Sequence, residues 1–149
     1  MGWENYHLHE FEQTGQRYGI PSSEYDEPDE VIPEGRVRLE DVLSASQPCL
    51  LYTYDFGDNW HHSIQLESVH SPEQGVEYPR VVEGRRSCPP EGCGSTLGYA
   101  NLLEILLDPE HEEFEQMREW AGESFNAEVF SVDAVNKRLS RNRSLTVMQ

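Results

Sequence analysis

Two alternating runs of apolar residues, separated by a short polar turn, set the pattern of the chain. Leu50, Tyr52, Tyr54 and Phe56 alternate with smaller or polar neighbours, which is the period of a half-buried strand. Trp60, His62, Ile64 and Leu66 repeat that period after the turn and carry His62 onto the apolar face. Asp55, Gly57, Asp58 and Asn59 supply the reversal, since Asx side chains bond nearby backbone amides and Gly accepts positive φ. An earlier alternation from His7 to Glu12, then Thr14-Gly15 and Gln16 to Gly19, predicts a first hairpin. Val37 to Leu39 reads as a short strand, Glu40 to Leu43 as a helical turn, and Glu77 to Val82 as a further strand of an antiparallel meander.

The period then lengthens. Cys88 to Gly94 contains Pro89, Pro90, Gly92 and Gly94, so it is irregular backbone. There Pro89-Pro90 makes a rigid bend and Glu91 is placed to bond backbone amides. A helix is predicted from Ser95 or Thr96 through Leu107, apolar almost all round and therefore deeply buried. Asp108-Pro109 is expected to end it and to open the next helix, with Asp108 as N-cap and Glu110, Glu112 and Glu113 in the first turn. That helix would bury Phe114, Met117, Trp120 and Ala121 and stop at Gly122; Ser131 would cap a last helix through Val135 and Leu139. Strands first and helices last predict an α+β fold, an antiparallel meander sheet covered by C-terminal helices.

Length fits one domain over 1–149. Between Ser23 and Gly35 six acids and two prolines leave little to bury, so 22–35 is expected to be a mobile acidic loop. The net charge of −17 makes nucleic acid an unfavourable partner. Lys137, Arg138, Arg141 and Arg143 cluster near the end, where they suit a helix C-terminus. No apolar run reaches membrane-spanning length, and three cysteines do not make a secreted disulfide framework, so the expected location is cytoplasmic.

Two chemistries compete at the central turn. Asp55, Asp58 and His62, joined by His9 and His7 from the first hairpin, form a candidate site for a divalent metal ion, because carboxylates with imidazole suit Mn, Fe or Zn. In the plainer reading Asp55 and Asp58 lock the turn while His62 hydrogen-bonds inside the core. Cys88 and Cys93 are half of a zinc pattern whose second pair is absent. Cys88 beside a helix N-terminus has the setting of a reactive thiol, but lacks the partners of a known cysteine protease. Tyr52, Tyr54 and Trp60 line either a peptide cleft or ordinary core.

Several of these pieces occur together in one order: Gly2-Trp3, His7-Leu8-His9-Glu10-Phe11, Tyr18-Gly19, Tyr52 to Asp58, then Trp60, His62, Ile64, Leu66 and Glu67. Cys88-Pro89-Pro90-Glu91, Gly94, Gly98-Tyr99, Asp108-Pro109 and His111 complete the series. In this the chain resembles the plasmid pRiA4b open-reading-frame-three-like family, whose members are also described as TnpR-family passenger proteins of insertion elements. The resemblance implies an accessory role on a mobile element rather than a defined reaction. It also implies a shortened start, since the family carries a strand, a Pro-Pro-x-Trp-Arg-Arg-like segment and a helix before the Gly-Trp position. A sheet edge left unpaired in that way would be open to another chain, so a homodimer is one expected assembly. The preferred functional reading is a protein-binding or accessory module. The alternative is a metal-dependent hydrolase or nuclease built on Asp55, Asp58, His62 and His9.

Overall fold

The computed structural model describes residues 2–21 and 30–146. The fold is α+β. Five strands form one sheet: β1 (His9–Gln13), β2 (Gln16–Gly19), β3 (Val31–Pro33), β4 (Cys49–Tyr54) and β5 (Trp60–Gln65). A short helix α1 (Leu39–Val42) interrupts them, and α2 (Ser95–Leu107), α3 (Phe114–Ala121) and α4 (Val132–Thr146) follow.

Both predicted hairpins form. Thr14 and Gly15, at φ of 50° and 82°, turn β1 into β2 with the twist that a two-residue hairpin needs. β4 and β5 pair antiparallel with Tyr52 opposite His62 and Tyr54 opposite Trp60. The sheet is nevertheless mixed, in the order β3-β2-β1-β4-β5, and not an antiparallel meander. β1 takes the centre by pairing with β4 as well as β2, while β3 runs parallel to β2.

Three expectations give way to side-chain chemistry. The acidic stretch expected as a loop over 22–35 becomes β3 at the β-branched pair Val31-Ile32, and Arg17 bridges it by bonding Glu30 at 3.0 Å and Glu10 at 2.7 Å. The 22–29 part of that stretch lies outside the described residues. The strand expected over Val37 to Leu39 is replaced by a 3-10 turn (Glu34–Arg36) and the start of α1, whose N-cap residue Arg38 donates its backbone N–H to Asp41 Oδ2 at 3.0 Å. Glu77 to Val82 joins no sheet, because Asn136 takes the role of a strand partner. Val81 N–H donates to Asn136 Oδ1 (2.7 Å) and Asn136 Nδ2 donates to the Val81 carbonyl (2.9 Å).

The helices differ from expectation in depth and in one boundary. On α2 only Leu102 and Ile105, one helical step apart, are buried, whereas Leu97 and Leu107 are 83% and 84% exposed. α3 starts at Phe114 and not at Pro109: Asp108 Oδ1 accepts the Glu110 amide (3.1 Å) and His111 Nδ1 accepts the Glu113 amide (3.1 Å), so these side chains hold turns instead of a helical start. Trp120 is half exposed. Gly122, at φ 93°, ends α3, and Ser131 Oγ accepts the Ala134 amide (3.2 Å) at the start of α4.

By internal packing the chain divides into two units. One holds 3–70 with 91–102 and contains the whole sheet; the other gathers 71–90 and the chain from 103 onward. In the first, Val31, Val42, Leu50, Tyr54 and Leu102 are buried. In the second, Ser87 anchors the segment before Cys88, its Oγ donating to the carbonyls of Asn126 (2.7 Å) and Val129 (2.8 Å).

Candidate functional site

The alternation along β4 and β5 sends Tyr52, Ile64 and Leu50 to one face of the sheet, where β1 adds His9 and Phe11 and β2 adds Tyr18. Against this face the segment 34–42 encloses a cleft of about 600 Å³, with Val37, Leu39 and Val42 on its far wall. Phe11 and Tyr52, directly opposite each other on β1 and β4, pack with ring centroids 4.8 Å apart and planes tilted by 35°. Burial of Tyr52 pushes its phenol up from the ordinary value.

One polar pair interrupts this apolar lining. His9 Nε2 lies 3.1 Å and 3.3 Å from the two carboxylate oxygens of Glu34, and the imidazole is 11% exposed. Among the described residues its Nδ1 is buried with no hydrogen-bond partner. A buried polar atom with no partner costs free energy, so the His9 ring sits there at the expense of stability. In the sequence Glu34 stands only as one acid of the 22–35 stretch. Its signal was weak, since only the nonlocal pairing of β3 with β2 carries it to β1.

The structure distributes the predicted metal ligands over separate tasks. Asp55, at φ 56°, accepts the amides of Gly57 (2.9 Å) and Asp58 (3.3 Å) on Oδ1. Asp58 Oδ2 accepts the Gly94 amide at 3.1 Å, tying the turn to the start of α2. His62 faces the apolar side with Trp60 and Ile64, its ring against Tyr52 (5.5 Å) and edge-on to Trp3 (5.3 Å), with Nδ1 3.3 Å from the Tyr52 carbonyl. His9 goes to Glu34, while His7 Nε2 stands 3.6 Å from Asp55 and 3.9 Å from Glu91. Among the described residues no three His, Cys, Asp or Glu side chains converge as a metal-ion site. Cys88 and Cys93 are not joined in a disulfide.

A second polar cluster lies behind the turn. Tyr54 is 2% exposed; its ring stacks on Trp3 at 4.7 Å and its hydroxyl donates to Glu91 Oε1 at 3.0 Å. Glu91 also accepts the Glu4 amide at 2.8 Å, so it does bond a backbone amide, though of the N-terminal segment. Burial, and then the bond to Glu91, hold the Tyr54 phenol above its ordinary value.

The comparisons with known proteins agree with this architecture. Residues 1–134 match the family described as Plasmid pRiA4b ORF-3-like protein. Uncharacterized protein y4hQ of Sinorhizobium fredii is 40% identical over 125 residues, covering 83% of this chain and 63% of that protein. The chain thus spans less than two thirds of the length of this curated relative. The crystal structure of Protein of Unknown Function MM3350 from Methanosarcina mazei Go1 superposes with a TM-score of 0.81 at 38% identity, covering 90% of this chain and 75% of that one. No helix among the described residues is long and apolar enough to cross a membrane. With the family match running from the first residue to within α4, the chain belongs to the plasmid pRiA4b ORF-3-like family.

Proposed function

We propose that this protein is an accessory module that binds another protein by seating an apolar side chain in the sheet-face cleft. The observation that carries this reading is the cleft itself: about 600 Å³ of largely apolar space beside one polar pair, His9 and Glu34. Such a cavity accepts one or two large side chains, and its polar pair offers a point of orientation. Leu39 lines the cleft, is 64% exposed and is the kind of apolar contact that a bound partner covers. The family's plasmid name supports an accessory role on a mobile replicon. A metal-dependent hydrolase draws less support, because Asp55 and Asp58 are engaged by backbone amides and His62 by Tyr52.

Selection from a displayed peptide library tests the reading. Peptides with a large apolar residue should be enriched and should bind Leu39→Asp at least tenfold more weakly. That substitution lies on the surface and leaves the fold intact. Enriched peptides that bind Leu39→Asp as tightly as the parent, or no enrichment at all, would refute the cleft as the binding site.

A further inference from the structure

We propose that the cleft admits an arginine of the partner segment beside the seated apolar side chain, its guanidinium paired with Glu34. The inference deepens the protein-binding reading and rests on it, but the charge of the cleft, not its volume, carries it. Both walls, the sheet face and the segment 34–42, are built within the described residues. Glu34 brings a carboxylate into that lining, and among the described residues its side chain has one polar partner, His9. A carboxylate offers about four lone-pair sites, and Nε2 of one imidazole supplies at most one hydrogen to them. The Glu34 side chain is partly exposed, so its remaining sites can be reached from solvent. No fixed cation balances it. Among the described residues Arg38 is the only Lys or Arg of the lining, and it is exposed and bonds Glu40 at 2.8 Å. The Glu34 charge is felt across the lining: after burial and Tyr54, it is the third cause that holds the Tyr52 phenol above its ordinary value.

That carboxylate selects the occupant. An apolar segment laid over Glu34 would strip water from it and return no hydrogen bond, which costs free energy. A cation returns the bond, and the net charge of −17 draws a basic segment toward the protein while repelling a second copy. Arginine fits better than lysine. Its guanidinium is planar, meets a carboxylate with paired N–H groups and lies flat on aromatic rings, whereas an ammonium is a strongly hydrated point charge. Phe11 and Tyr52 supply such rings in the same lining. The ring of His9, which holds the carboxylate, has its centroid 5.9 Å from that of Tyr52 and 6.2 Å from that of Phe11, so anion and rings belong to one patch.

Peptides selected on the whole protein from the displayed library supply the probe. They should carry arginine within about two residues of the large apolar residue, at least threefold above its frequency in the unselected library. Resynthesised with acetylated N-termini, they should bind the parent at least fivefold more weakly when citrulline, which keeps the shape and loses the charge, replaces that arginine. On Glu34→Gln, whose amide oxygen still accepts from His9, the arginine and citrulline peptides should bind equally. Should that variant fail to fold, raising salt from about 0.05 M to about 0.5 M on the parent must weaken the arginine peptide and leave the citrulline peptide unchanged. Selected peptides with no excess of arginine, or with nothing lost to citrulline, would overturn the proposal; if they still lose binding on Leu39→Asp, the cleft reading stands. No enrichment, or peptides indifferent to Leu39→Asp, would bring down both. Light scattering that finds a parent dimer dissociated by Glu34→Gln would make a second copy the occupant and overturn the proposal as well.

Discussion

Replacing Tyr54 by Phe removes one hydroxyl from the most enclosed side chain of the sheet and leaves its ring in place. The stack on Trp3 at 4.7 Å depends on the ring alone and should persist. What disappears is the 3.0 Å bond from the phenol to Glu91. A hydrogen bond to a charged acceptor is worth about 1.5–3 kcal/mol. Glu91 keeps the Glu4 amide at 2.8 Å, so its carboxylate is not stranded and the cost belongs at the lower end, about 1.5–2 kcal/mol. For a chain of this length that lowers Tm by roughly 3–8 °C. The pH dependence gives a sharper check. Burial and Glu91 raise the Tyr54 phenol above its ordinary value, so the folded state holds that proton more tightly than the unfolded state. Its stabilisation is fully present below about pH 10 and is lost as pH rises through the raised value. Urea unfolding followed by Trp fluorescence at pH 7 and pH 10.5 should therefore show the gap between parent and Tyr54→Phe narrowing at the higher pH. Tyr52, also raised by burial, remains in both proteins and makes both lose some stability there. A gap that stays constant or widens between the two pH values would refute the assignment of Tyr54 as a buried, neutral donor.

Asp55→Asn should cost under about 1 kcal/mol, because Asn tolerates the left-handed backbone and can still accept an amide, whereas Asp55→Ala should cost about 1–3 kcal/mol. Chemical denaturation separates the two, and added Mn or Zn should change neither value. Gly98→Ala would drive its new Cβ into the Cys93 carbonyl, a backbone atom that cannot step aside, so a loss of about 1–3 kcal/mol is expected. Thermal melts would contradict this if the variant matched the parent. Leu50→Ala, at a side chain 3% exposed, should destabilise by about 2–5 kcal/mol in urea titrations. A loss below about 1 kcal/mol would mean that this side of the cleft is not packed.

The readable part of the sequence was local. Tyr52 to Trp60 announces its hairpin because alternation and Asx turn chemistry both lie within a dozen residues, and His62 falls on the apolar face by period alone. Thr14-Gly15 and Gly122 were legible for the same reason. What alternation cannot encode is which strand takes the centre of the sheet. β1 gains that place by pairing with β4, and β3 adds in parallel from beyond an acidic stretch whose composition hides Val31 and Ile32. Asn136 displaced an expected strand at Val81 from a position 55 residues away, which no window along the chain can see.

The same contrast explains how the candidate site residues are placed. Clustering in sequence put Asp55, Asp58 and His62 together, but residues at a tight turn are close because the chain reverses there, and carboxylates in that setting find backbone amides first. His9 and Glu34 are 25 residues apart and meet only once β3 has docked beside β2. A pair assembled by nonlocal pairing, in an apolar cleft where solvation is poor, costs free energy that local turn geometry does not require. Function is the more economical reason for holding it there. If that is so, His9→Phe, which fits the aromatic lining and removes the buried, unpartnered Nδ1, should preserve or raise Tm while changing which peptides the cleft selects. An unchanged selection with His9→Phe would reduce the pair to scaffold and leave the apolar walls as the whole of the recognition surface.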